Sequence, residues 1–234
     1  MTVSVSADAD AAARRICLVD LESGNLHSVS RALDAVAGGA SVARGRDPGE
    51  VARATHIVIP GVGAFPALAS RLRAADGLED ALADARARGV PILGICVGMQ
   101  LLASVGREHG DTPGLDWIQG EVAPLPAPGA GLKVPHMGWS ETRPAGDDAG
   151  GMLAKSEWFY FAHSFHFDAR DRSAVAATFA WRGQDADSET PLVAAVADGA
   201  VWGVQFHPEK SARAGLEFLA RFLALPSPSL SPSP

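Results

Sequence analysis

The sequence predicts an α/β fold: a mostly parallel central sheet flanked by helices, with an antiparallel extension in its second half. Three observations predict it. Between residues 15 and 96, short apolar runs alternate with segments of helical periodicity, the pattern of a parallel sheet covered on both faces. In the second half the runs Trp158 to Phe167, Ala174 to Trp181, Leu192 to Ala197 and Val201 to Phe206 follow one another without long helices, and Asp198-Gly199 is a hairpin signal. Finally, two glycine-bracketed corners, Pro60 to Phe65 and Gly94 to Gln100, fall just past strand-like runs, where open α/β sheets bind ligands.

A chain of 234 residues with 47% hydrophobic and 20% charged residues can bury a substantial core, and reads as one domain over residues 15–224. Residues 1–14 read as a flexible N-terminal extension, and 225–234, which alternate serine and proline, as a disordered tail. The net charge of −7 offers no basic surface in aggregate, which argues against nucleic acid as a partner. No apolar segment reaches the roughly 18 to 20 residues that span a bilayer, so no membrane is expected. Met1 to Ala13 lacks the basic head and apolar block of a secretory signal, and two cysteines make no disulfide framework. A reducing cytoplasm is the expected location.

The first strand is Ile16 to Val19, and its apolar setting gives Cys17 a structural reading. Leu26, Val29, Leu33 and Val36 recur at helical spacing until Gly38-Gly39 ends the helix. A weak strand at Ala40 to Ala43 and a short helix opened by Asp47-Pro48 follow, then the strand His56 to Ile59. The loop Gly61-Val62-Gly63 lets bare backbone approach a ligand; a phosphate loop, an oxyanion-hole donor loop and a plain tight turn all fit it. Helical patterns at Ala67 to Ala74 and Leu78 to Arg88 lead to Val90 to Leu93 and Cys96, with a helix-like segment from Met99 to Ser104 beyond. Gly106 to Gly131 reads as a surface excursion with little regular structure. The last helix, Ala212 to Leu223, takes Ser211 as N-cap and Leu216, Leu219 and Phe222 as its buried stripe.

Gly-Ile-Cys-Val-Gly at residues 94–98 has the spacing of a nucleophile turn, and a thiol at such a corner faces the start of a helix. A buried structural cysteine is the competing reading. His207 leaves the strand ending at Phe206; Pro208 biases it towards extended backbone, which puts Glu209 on the same side. That pair could be a base and its orienting carboxylate, or a surface histidine near a loop acid. His163 and His166 lie in a strand-like run, and no paired-cysteine or His-Glu-x-x-His pattern exists, so neither metal nor cofactor is expected.

Taken together, these motifs resemble the class I glutamine amidotransferases, and among them the glutaminase subunits of imidazole glycerol phosphate synthase. The resemblance lies in GICVGMQ around Cys96, GVQFHPEKS around His207 and Glu209, PGVGAF at 60–65, PHMGW at 135–139 and YFAHSF at 160–165. It implies a Cys96–His207–Glu209 triad, oxyanion donors from Val97 and Gly61-Val62-Gly63, and L-glutamine bound by Gln100 and the backbone around Ser164 and Phe165. It further implies a barrel-shaped cyclase subunit as heterodimeric partner, met by Asn25, His136, Trp139 and Lys210. A glutaminase serving another synthase and a non-catalytic regulatory subunit of the same fold are the alternatives. The chain departs from the usual family pattern at Leu21, Glu22 and Ser140, all on the implied partner side.

Overall fold

The computed structural model describes residues 14–127, 133–146, 151–182 and 189–228. The expected N-terminal extension, up to residue 13, and the tail from 229 onward lie outside these residues. The first half follows the anticipated alternation: β1 (Arg15–Val19), α1 (Leu26–Val36), β2 (Ser41–Gly45), α2 (Pro48–Arg53), β3 (His56–Gly61), α3 (Phe65–Ala74), α4 (Leu78–Ala87), β4 (Ile92–Cys96) and the single turn α5 (Val97–Gln100). Asp47 caps α2, its carboxylate accepting the Gly49 N–H.

The stretch from Gly106, expected to have little regular structure, holds three short strands over its described part. They are β5 (Val105–Gly106), β6 (Thr112–Pro113) and β7 (Gly120–Pro124), which join β10 (Phe165–Ala169) in a second sheet of order β10-β7-β5-β6. Strands of two residues carry no periodicity to read. The run Trp158 to Phe167 likewise divides at Ser164: β9 (Glu157–His163) belongs to the large sheet and β10 to the small one. Leu125 N–H donates to the Ser164 carbonyl at this junction.

With β8 (His136–Pro144), β11 (Val175–Arg182), β12 (Glu189–Asp198) and β13 (Val201–Val204), the large sheet has the order β2-β1-β3-β4-β13-β12-β11-β8-β9. Strands β2, β1, β3, β4 and β13 pair in parallel, and from β13 to β9 every pairing is antiparallel. The parallel half and its extension are thus as expected, with Gly199 in the left-handed region at the β12–β13 turn.

α6 (Ala212–Leu223) closes the fold, but its buried face is Gly215, Phe218, Leu219, Phe222 and Leu223, while Leu216 is 36% exposed. The i, i+3, i+4 spacing of that set makes a stripe from which Leu216 is turned away. Ser211 does not cap this helix with its side chain. Its Oγ instead accepts the Tyr160 N–H at 3.0 Å and donates to the His207 carbonyl at 2.6 Å, tying β9 to the segment after β13. Beyond the helix, the Leu225 carbonyl accepts from His56 Nε2 at 3.2 Å.

Where β4 turns into α5, only glycine fits. A Cβ on Gly98 would lie 1.8 Å from the Ile59 carbonyl oxygen, and one on Gly94 would lie 2.5 Å from the Gly98 oxygen. Both obstacles are backbone, so the turn is pressed directly against β3. We expect Gly98→Ala to lower unfolding free energy by about 3 kcal/mol or more, since overpacking against rigid neighbours costs about 1 to 3 and here no side chain can yield. Gly146→Ala, where an added Cβ meets nothing within 4 Å, should change it by less than about 0.5 kcal/mol. Urea unfolding of the two variants measures the difference.

Candidate active site

Cys96 ends β4 with φ 55° and ψ −111°, a sparsely populated conformation that costs a non-glycine residue about 1 to 3 kcal/mol. The strain is held by the glycine packing beneath it, and it turns the side chain out at the carboxyl edge of the sheet. The thiol donates towards the Ala162 carbonyl, 3.9 Å away. Cys17, by contrast, lies within β1, where burial pushes its thiol up to about 11; it packs as the sequence suggested.

β13 lies beside β4 with Val204 opposite Ile95, so the residues just past β13 run alongside the nucleophile turn. His207 follows, its N–H bonded to the Tyr160 carbonyl and its own carbonyl held by Ser211. His207 Nδ1 and Glu209 Oε1 are 2.7 Å apart, with side chains 2% and 0% exposed. A carboxylate only accepts, so Nδ1 carries the proton and Nε2 is left for Cys96. Burial opposes charge on this ring, but hydrogen bonds to Cys96 and Glu209, with the charges of both, outweigh it and raise His207 from 6.5 to about 9. Glu209 Oε1 also accepts from Asn25 Nδ2 at 2.5 Å.

The turn opens onto a cavity of about 230 Å³. Cys96, Val97, Val62, Gly63, Ser164 and Phe165 line it, and Gln100 and Glu108 supply polar side chains. Gln100 Nε2 donates to the Phe165 carbonyl at 3.1 Å. Val97 is the first residue of α5, so its N–H has no acceptor within the helix and is available to a ligand. A thiol, an imidazole bonded to a carboxylate, backbone N–H groups and an acid thus gather around one small space, an arrangement suited to acyl transfer. Among the described residues, no group of three or more His, Cys, Asp or Glu could hold a metal ion.

The family description "glutamine amidotransferase class-I" matches residues 17–225 of the sequence. The chain belongs to the class-I glutamine amidotransferases. It is 41% identical over 215 residues to the imidazole glycerol phosphate synthase subunit HisH of Ruegeria pomeroyi, covering 88% of this chain and 96% of that protein. To the subunit of the same name from Caulobacter vibrioides it is 44% identical over 220 residues, covering 89% and 97%. Its fold is similar to that of a crystal structure of glutamine amidotransferase, with a TM-score of 0.66 at 18% identity, covering 90% of this chain and 100% of that one.

In this amidotransferase most residues singled out from the sequence gather at the cavity. Cys96, Val97, Val62, Gly63, Gln100, Ser164 and Phe165 line it, and His207 and Glu209 stand behind the thiol. Gly61 does not line it; an added Cβ there would meet Leu68 and the Gly98 backbone, so this glycine seats the loop rather than facing the cavity. The expected partner residues divide. Trp139 is 48% exposed, next to Tyr160, and Lys210 Nζ lies 5.9 Å over the Tyr160 ring. His136 corrects the expectation: its ring points inward, stacked on Phe179 at 5.4 Å and bonded through Nε2 to Ser140 Oγ at 3.0 Å. Alternation along β8 sends Met137, 66% exposed, outward in its place. Asn25 is half-buried, with its amide engaged by Glu209.

Glu108 and His163 line the cavity and were missed. Glu108 Oε2 accepts the Phe65 N–H at 2.7 Å, capping α3 from a distant loop, a contact with no local signal. His163 is drawn down to about 3 by burial, which outweighs the bond from its Nδ1 to the Phe165 carbonyl, so it is neutral.

Because His207 is raised in the folded state, its protonation stabilises the fold. That contribution is complete below pH 6.5 and is lost as pH rises through about 9. Proton NMR of the His207 ring should show a midpoint near 9, and Glu209→Gln should lower it while flattening the decline in stability between pH 6.5 and 9. An unchanged midpoint in the variant would refute the assigned pairing.

Proposed function

We propose that the chain is the glutaminase subunit of imidazole glycerol phosphate synthase, hydrolysing L-glutamine to glutamate and ammonia and delivering the ammonia to a cyclase subunit in histidine biosynthesis. The observation that carries this reading is the meeting of Cys96, His207 and Glu209 at a cavity sized for an amino acid, in a chain that covers nearly the whole length of relatives with that name.

In the reaction the thiol proton of Cys96 passes to His207 Nε2 as Sγ attacks the side-chain amide carbon of glutamine. The developing oxyanion is met by the Val97 N–H and by backbone N–H groups of the Gly61-Val62-Gly63 loop; one such donor is worth about 3 to 4 kcal/mol where it has been measured. His207, held through Nδ1 by Glu209, protonates the departing nitrogen, and ammonia leaves a glutamyl thioester. The same ring then takes a proton from water, which attacks the thioester and releases glutamate with the thiol restored. The acid at the cavity, Glu108, is suited to the α-ammonium of glutamine, while the backbone at Ser164 and Phe165 holds the amino-acid end and Gln100 contributes its amide.

The partner is a barrel-shaped cyclase, forming a heterodimer. Its docking face is the exposed patch of Met137, Trp139 and Lys210 beside Tyr160, at the sheet edge formed by β9 and next to the cavity. Aromatic residues, methionine and a long cation are what interface cores favour over ordinary surface. Among the described residues no helix is long and apolar enough to cross a membrane, and two free thiols suit a reducing cytoplasm.

Cys96→Ala should abolish ammonia release from glutamine, with a loss on the order of 10⁴-fold or more, while the complex still uses added ammonium salts. Glutamine-dependent turnover surviving in that variant would remove Cys96 as the nucleophile. Glu108→Gln keeps an oxygen for the Phe65 N–H but loses the charge, so KM for glutamine should rise about 10- to 100-fold with kcat little changed. Steady-state glutaminase assays of the complex measure both.

A further inference from the structure

Gln205 is wholly buried, 0% exposed, and has no part in the mechanism above. It stands one residue past β13, level with Cys96 by the pairing of Val204 with Ile95. Its Nε2 lies 3.6 Å from Cys96 Sγ, and its Oε1 lies 3.1 Å from Gln100 Nε2. Gln100 Nε2 is also 3.1 Å from the Phe165 carbonyl.

These contacts leave one arrangement of the two amides. The Phe165 carbonyl can only accept, so Gln100 must turn its NH₂ group towards it. The second N–H of that group then meets Gln205, which must answer with its oxygen; the reverse would oppose two NH₂ groups in a buried site, each short of an acceptor. With its oxygen committed to Gln100, Gln205 directs an N–H at the sulfur. A backbone carbonyl on β10 thereby fixes, through two side chains, the donor that faces the nucleophile. Sulfur accepts weakly as a thiol and more strongly as a thiolate, because a charged acceptor strengthens the bond. The same chain leaves Gln100 Oε1 as the atom that Gln100 can offer to a ligand in the cavity.

We infer that Gln205 is a positioning residue that couples the substrate-binding amide of Gln100 to the nucleophile Cys96, holding Gln100 in its binding orientation while donating an N–H to the sulfur. The inference rests on the glutaminase reading for what Gln100 binds, but the donation to sulfur can be tested without glutamine.

The test uses the full chain with Gln205→Leu, and Gln205→Met as a second variant whose flexible side chain fills a similar volume. Folding of each is checked by near-ultraviolet circular dichroism. The rate of Cys96 alkylation by iodoacetamide at pH 7.5 should fall about tenfold in the folded variants, and by less in Gln100→Leu, which keeps the donor and loses only what orients it. In the complex with the cyclase, Gln205→Leu should raise KM for glutamine as well as lower kcat, and Gln100→Leu should raise KM. The double variant should raise KM no further than Gln100→Leu does, because the effect of Gln205 on binding runs through Gln100. Alkylation within twofold of the unaltered chain in both Gln205 variants, or fully additive effects on KM, would overturn the inference. If the unaltered complex released no ammonia from glutamine, the glutaminase reading would fail, while the alkylation rates would still decide whether Gln205 serves the sulfur.

Discussion

Everything at the site depends on β4 and β13 lying side by side in parallel. More than a hundred residues of chain separate Cys96 from His207, and the register of Val204 on Ile95 cancels that distance. The two strands end at the same level, so the chain leaving each delivers its reactive group to the same edge. On the other side of β4, Gly61 pairs with Cys96, and the Gly98 backbone rests on the Ile59 carbonyl, so the rim of the cavity is set by the same packing that strains the cysteine. A side chain at Gly98 would force β3 away, and one at Gly94 would push the turn itself off β4; either would disperse the site.

Burial acts on the histidines of this region in opposite directions according to their neighbours. His163 has a single carbonyl partner for its Nδ1, and burial keeps it neutral. His207 is closely enclosed too but sits between a carboxylate and a thiol, and there the charged ring prevails. The contrast lies in the company of each ring and not in its depth. Asn25, by bonding to the same oxygen of Glu209 that holds His207, fixes the carboxylate so that this company is constant.

The sequence was most legible where chemistry is carried by neighbours along the chain. Cys96 between its glycines and His207 two residues before Glu209 can be read as units, and the alternation of apolar runs reveals the parallel half of the sheet. What escaped reading was made by contacts between distant segments or by elements too short to have a period. Asn25 reaches Glu209 across 184 positions, and Glu108 reaches the start of α3 from a loop between two-residue strands. Ser164 divides a continuous apolar run between two sheets, which no pattern of polarity announces. His136 was misjudged for a simpler reason: a motif locates a segment, whereas the pleat of β8 decides which of its side chains look outward.

Tyr160 belongs to two environments at once. Its ring lies among the exposed Trp139 and Lys210, while its backbone accepts from the His207 N–H and donates to the Ser211 hydroxyl that grips the His207 carbonyl. The outer surface and the imidazole are therefore one residue apart: a partner that grips the ring of Tyr160 takes hold of the strand whose peptide groups anchor His207 on both sides.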